Sequence, residues 1–430
     1  MRAPILVILS LAGACHGSAT DQPDATGNDG GPDGATTCPA GKAGAACILA
    51  LYDAAQSCDA AAVEALRGEL DARANLGPLW AEDRALFRTQ RPVAIAGTFD
   101  DWSTTAVVSS ALCGSDLVLA VGPVATGFHL YKLVDGDAWS LDPANPAFAY
   151  DDFSGNPDGK NSALATPDSG RGYLVQLPEA CSSTLGNCRG VTAYLPPGYD
   201  ALDAAQRTYP VLFMHDGQNV WDDHDCCFGH TGWEVNVQLD ADIAAGQVAP
   251  VIVIAAEHST ARNAEYGLDA DAMRRFMEFQ VTELQPRALA AVRWNHERVA
   301  VAGSSLGGLV AMELALRYPE TYAAAASLSG AFWPGMDSGT ALRDQLPALG
   351  KQPVAVYLDH GGDPATNSDG AADTIEVRDR MIGLGWQRSD SPSCTPGDAA
   401  LCYHAEPGAT HDELAWKART WRFLRFLFPA

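Results

Sequence analysis

The sequence predicts an α/β protein in which a mostly parallel central sheet is flanked by helices and preceded by a small all-β, immunoglobulin-like sandwich. Three observations predict it. From about residue 171 onward, apolar β-branched runs alternate with helical ones, as in a sheet built from βαβ units. From 78 to 165 the runs are short, alternate in polarity and are broken by Gly, Asp, Asn and Pro, which suits strands joined by tight turns. Between the β-branched run "RVAVAG" and the helical run "LGGLVAMELALRYP" lies Gly303-Ser304-Ser305-Leu306-Gly307, a serine in a turn of small residues.

In chain order, residues 1–14 read as an export signal peptide: Arg2, then the apolar run "APILVILSLAGA". That run is too short for a permanent bilayer span. The sequence "LAGAC" resembles a bacterial lipobox, which implies a lipidated Cys15 and a tether at the cell envelope. Of the eleven cysteines, those beyond Cys15 are even in number and able to pair in an oxidising compartment. Short loops favour Cys181 with Cys188 and Cys394 with Cys402. Residues 15–37 are rich in Gly, Pro and Asp, without Lys or Arg, and read as a disordered acidic linker.

Residues 38–77 are Ala-rich with apolar residues at helical spacing, so helices are expected there. The sandwich spans 78–165. Its "AGTFDDWS", "YKLVDGDAWSLDPAN" and "KNSAL" resemble an E-set, glycogen-binding-like module, in which Trp102 and Trp139 would stack on a sugar ring. The simpler expectation is that both rings fill the sandwich core or the interface. The catalytic domain is expected over 171–430, with strands at "GVTAYLP", "YPVLFMH", "VAPVIVIAA", "RVAVAG", "AAAASLSG" and "PVAVYLD". Helices are expected at 233–245, 270–292, 306–317, 371–384 and 412–427.

Charge narrows the partners. With 28 Lys plus Arg against 53 Asp plus Glu, the formal charge is −25, a surface that repels phosphate backbones and excludes nucleic acid as a natural partner.

The serine turn points to chemistry. A strand-to-helix bend presents its central residue, Ser305, while Ser304 points elsewhere. A serine hydroxyl is a poor nucleophile until a base takes its proton, so an acid and a histidine should follow in that order. His411 in "PGATHDELAW" sits on a loop before the terminal helix. Its rival His404 lies within the strand pattern "LCYHAEP". The acid is expected in "DHGGDPATNSDGAAD", with Asp363 preferred and Asp359, Asp369 and Asp373 open. The oxyanion would be met by the backbone N–H groups of Leu306 and of Gln218 in "FMHDGQNVW". Arg262, Glu265 and Tyr266, together with Trp333, are candidates for substrate contact. In "HDCCFGH", His224, Cys226, Cys227 and His230 form a set of soft ligands, but export favours a disulfide, and neither metal nor cofactor is expected.

The motifs "VLFMHDGQNVWDD", "TGWEVNVQLD", "ARNAEYG", "RVAVAGSSLGGLVAMELALRYPE", "SLSGAFW" and "GATHDELAWKARTWRFLRFLF" together resemble the Putative esterase family of α/β-hydrolases. That family includes enterochelin esterases, carbohydrate esterase family 1 and mycolyltransferase relatives. The resemblance implies an α/β-hydrolase fold over 171–430 and a serine esterase acting through Ser305, an acid and His411. Asp363 matches the family's glycine-then-acid pattern with a one-residue gap. The expected substrate is a glycan-linked feruloyl or acetyl ester. A siderophore-type lactone is the alternative, and a non-catalytic glycan-binding surface lipoprotein is the reading from another class.

Overall fold

The computed structural model describes residues 38–430 except 40, 74–76, 152–158, 201–205, 223–225, 227–231 and 334–340. The signal peptide, Cys15, the acidic linker, and His224, Cys227 and His230 lie outside the described residues.

Alternation along the central strands explains why both faces of the sheet are covered. Val211 and Phe213 join one core cluster with Ile252, Ile254 and Val301. Leu212 and Met214 join the opposite cluster with Val253, Ala255, Ala300 and Ala302. Strands that bury side chains on both faces need helices on both. Each fully buried large side chain contributes about 1.5–3 kcal/mol.

The expected strands form. From one edge the order is Gln387–Asp390, Ala400–Ala405, Ala355–His360, Tyr322–Leu328, Val299–Ser304, Val211–Met214 and Ile252–Ala256, all parallel to their neighbours. Asn187–Leu195 and Tyr173–Ser182 follow as antiparallel strands. With helices such as Val235–Ala244, Ala270–Phe279, Leu306–Arg317, Ala371–Gly383 and Glu413–Leu427, this is an α/β-hydrolase fold. The sequence reading missed the helix Leu342–Leu349, which carries Pro347 inside it.

The sheet does not stop at Tyr173–Ser182. Leu174 and Val175 pair with Phe148 and Ala147, and the ladder continues through Lys160–Ala165, Phe128–Asp135 and Ala94–Gly97. One layer of the β-sandwich is thus continuous with the hydrolase sheet. Its other layer is a four-stranded sheet containing Arg84–Thr89 and Val118–Pro123. Phe87 and Ala120 of that layer pack against Ile95, Tyr131 and Leu164. On its outer side, Leu86 and Leu119 meet Leu49, Leu66 and Leu70 of the helices Gly44–Ala55 and Ala60–Asp71.

Two aromatic residues depart from the simpler expectation. Trp139 is 46% exposed and Trp102 half-buried, their ring centroids 6.2 Å apart, so the pair lies at the surface and not in the sandwich core. The strand Ala138–Ser140 is exposed along its length, which leaves its tryptophan no core to enter.

The two short-loop disulfides form, Cys181–Cys188 and Cys394–Cys402. Cys38–Cys47 and Cys58–Cys113 join them, and Cys226 is disulfide-bonded as well. Among the described residues, no helix is long and apolar enough to cross a membrane.

Candidate active site

The carboxyl ends of the parallel strands bring the site together, as open α/β sheets do. Val299–Ser304 delivers Ser305, Val211–Met214 delivers the His215–Asn219 loop, and Ala355–His360 leads into the acidic loop. His411 follows the strand Ala400–Ala405.

Ser305 sits at φ 53°, ψ −124°, a strained region for a residue with a side chain. Neighbours hold it there. Its N–H donates to the Leu328 carbonyl at 3.0 Å, and its own carbonyl accepts from Ala331 at 2.9 Å and Leu309 at 3.1 Å. A Cβ on Gly303 would lie 2.6 Å from the Gly307 backbone, so the strand and helix meet this closely only through glycine. Ser305 is half-buried and Ser304 buried.

His411 meets a carboxylate, but it is Asp369 and not Asp363. His411 Nδ1 donates to Asp369 Oδ1 at 2.6 Å. A carboxylate only accepts, so Nδ1 carries the hydrogen and the neutral ring keeps the lone pair of Nε2 for a proton. The Asp369 side chain is 2% exposed, and its Oδ2 accepts from Ser329 Oγ at 2.7 Å and from the Gly361 N–H. Asp363 is exposed and closes its own turn, with Oδ1 accepting from the Ala365 N–H at 2.9 Å. Asp359 is buried against Arg419, and Asp373 is held by Arg343 and Asn367. His404 donates to Glu406 at 2.7 Å, away from that carboxylate.

Gln218 and Leu306 stand at helix starts. Leu306 is the first residue of its helix, so its N–H has no intrahelical acceptor. Gln218 lies in the short turn Gly217–Asn219, and its side-chain Oε1 accepts from the His258 N–H at 3.1 Å. Gly217 is required by space, since a Cβ there would lie 2.7 Å from the Ala256 carbonyl carbon.

Three of the four residues expected to touch substrate have partners within the protein. Arg262 Nε and a terminal nitrogen donate to the two oxygens of Asp216 at 2.6 and 2.7 Å. Asp216 itself is left-handed at φ 57°. Glu265 is 2% exposed and accepts from Arg189, Asn187 and Ser259, while Tyr266 is buried. Glu265 and Tyr266 are therefore internal supports, not surfaces for a substrate. Trp333, in contrast, is 57% exposed, two residues beyond the Ala331 N–H that bonds Ser305.

His215 precedes the turn Gly217–Asn219 and packs on Tyr266 and Phe276 at 5.4 and 5.8 Å between centroids. Burial pushes its imidazole down to about 4, against the opposing pull of Asp216.

Sequence reasoning did not find Ser329, which donates to Asp369, or Arg419, which donates to Ser329 and Asp359, although "SLSG" ends the strand beside Val299–Ser304. The loop geometry that selects Asp369 has no signature beyond a choice among four carboxylates.

A ferulic acid esterase structure is similar at 18% identity and TM-score 0.44, covering 60% of this chain and 98% of that one. The ferric enterobactin esterase of Salmonella typhimurium is similar at 17% identity and TM-score 0.44, over 84% of this chain and 98% of that one. An IroE-like serine hydrolase from Shewanella oneidensis is similar at 20% identity and TM-score 0.45, over 60% and 80%. No curated protein matches the chain. The family described as Putative esterase matches residues 182–417, more than half of the chain and the stretch holding Gln218, Ser305 and His411. The chain belongs to that esterase family and is a carboxylic ester hydrolase.

Proposed function

We propose that the protein is an exported serine esterase working through Ser305, His411 and Asp369. The observation that carries this is the His411 Nδ1 to Asp369 hydrogen bond at 2.6 Å, in a fold whose strand-to-helix bend holds Ser305 at a strained φ of 53°. His411 Nε2 takes the Ser305 proton as Oγ attacks the ester carbonyl carbon. The oxygen becomes an anion and is met by the N–H groups of Gln218 and Leu306. Collapse breaks the carbon–oxygen bond, and His411 returns the proton to the departing alcohol. Water, deprotonated by His411, then releases the acid from Ser305. Asp369 keeps the imidazole in the tautomer that presents Nε2 and stabilises its charged form.

The substrate in this reading is a glycan-linked feruloyl or acetyl ester. A formal charge of −25 disfavours anionic esters, and the exposed Trp333 offers an apolar surface beside the nucleophile. The disulfides support action in an oxidising compartment. A lipid tether at Cys15 belongs to the same proposal, and Cys15→Ser should move the protein from the membrane to the soluble fraction.

Hydrolysis of a short-chain nitrophenyl ester tests the chemistry. Ser305→Ala should lower kcat by about 10⁴-fold or more, and Ser304→Ala by less than about threefold. Equal losses in both would overturn the assignment. A panel of feruloyl and acetyl oligosaccharides against a catecholate trilactone tests the substrate, and preference for the lactone would refute the glycan reading.

A further inference from the structure

Ser329 sits in a conformation that its sequence does not favour. Its φ is 47°, where glycine is the cheaper residue. It is fully buried. A side chain kept at such a place needs a reason, and the hydrogen bonds supply one.

A hydroxyl has one hydrogen to give and two lone pairs to fill. Trp416 Nε1 donates to Ser329 Oγ at 3.1 Å, and an Arg419 terminal nitrogen donates at 3.0 Å. Neither group is able to accept, so together they fill both lone pairs. The hydroxyl hydrogen is left with one direction, toward Asp369 Oδ2 at 2.7 Å. Arg419 cannot swing away, because Asp359 accepts from its Nε at 3.0 Å and from its terminal nitrogen at 3.3 Å. Asp359 is locked in turn by the Tyr357 hydroxyl and the Ser329 N–H, at 3.0 and 3.1 Å.

Two neighbours of Ser329 touch Ser305 and His411. Leu328, next in the chain, accepts the Ser305 N–H at 3.0 Å. Trp416, the donor to Ser329, packs its ring edge-on to His411 at 5.0 Å between centroids.

We infer that Ser329 is a positioning residue: its hydroxyl, oriented by Arg419 and Trp416, holds Asp369 so that Oδ1 faces His411, and its chain neighbour couples that carboxylate to the Ser305 bend. The inference rests on the reading of Asp369 as the acid of an esterase. An ordinary structural serine would serve only to satisfy Arg419.

Ser329→Gly separates the two roles, since it removes the hydroxyl and relieves the left-handed backbone at once. On a nitrophenyl ester its kcat should fall about ten- to a hundredfold, the rate equivalent of one hydrogen bond to a charged group. KM should stay within about threefold, because the bound ester does not touch Ser329. Ser329→Cys keeps a weak donor and should be faster than Ser329→Gly. Asp369→Asn is measured beside them. If Asp369→Asn is inactive while Ser329→Gly keeps the parent kcat, the inference is overturned and the esterase reading stands. If Asp369→Asn is also fully active, the acid assignment itself fails. A loss in Ser329→Gly that appears in KM alone, or equal losses in the glycine and cysteine variants, would also overturn it. Should the glycine variant not fold, the kcat of Ser329→Cys decides: a value within twofold of the parent, for so poor a donor, counts against the role.

Discussion

Four carboxylates within fifteen residues were compatible with the chemistry, and one hydrogen bond distinguishes them. Asp363 follows the glycines after the strand Ala355–His360, which made it the reasonable choice. The chain instead turns Asp363 outward to close its own loop and returns Asp369 against Gly361 and Ser329. His215 shows the same limit of sequence reading, since nothing in "FMHDGQ" says that its imidazole is buried among aromatic rings, its Nε2 without a hydrogen-bond partner among the described residues. Its neutral form is favoured in the fold, so the unfolded chain takes up a proton near 6.5 and the folded one only near 4. Between those values the unfolded state binds more protons, and stability falls as the pH drops through the window, by up to about 3 kcal/mol from this residue alone. His215→Met should remove that part of the acid sensitivity. Urea midpoints at pH 7 and pH 5 measure it; an unchanged difference between the two pH values would show that His215 is not the source.

At the scale of elements, the serine turn and its two flanking elements were legible because a strand, a tight glycine turn and a helix each leave a local mark. The expected helix over 306–317 forms over those residues. The loop after Val211–Met214 was legible in part. "HDGQN" marks a turn, but the bend that forms depends on Asp216, a left-handed residue whose carboxylate is gripped by Arg262 from a different loop. Arg262 therefore acts on the loop shape, and its planar fork suits two oxygens at once in a way that a lysine ammonium does not. In the proposed mechanism Arg262→Lys displaces the Gln218 N–H from the developing oxyanion, so kcat should fall about tenfold with little change in KM. Steady-state kinetics check this. A rise in KM with kcat intact would instead place Arg262 on the substrate.

At the scale of the molecule, residues 38–430 form one compact unit, and the sheet running through the sandwich and the hydrolase explains why. The strand Tyr173–Ser182 is paired on both sides: Asn187–Leu195 runs along it, and Ala147–Tyr150 covers its other edge at Leu174 and Val175. Removal of residues 38–165 would leave it as an open edge, a template for pairing between chains. The truncated protein should aggregate, as light scattering would report, and retain little activity. A monomeric, fully active product would mean that the continuity of the sheet has no stabilising role.

The order of elements, the covered parallel sheet, the strand-to-helix bend at Ser305 and the short-loop disulfides were determined by the sequence itself, because each depends on residues close together in the chain. Hydrophobic period, glycine at crowded bends and cysteine spacing are local signals. The tertiary structure decided which acid meets His411, that Glu265 and Tyr266 face inward, that Arg262 clamps a loop, and that Trp102 and Trp139 lie at the surface. Those outcomes depend on burial and on hydrogen bonds that span 42 to 78 positions of the chain, and no local pattern encodes which distant group will arrive.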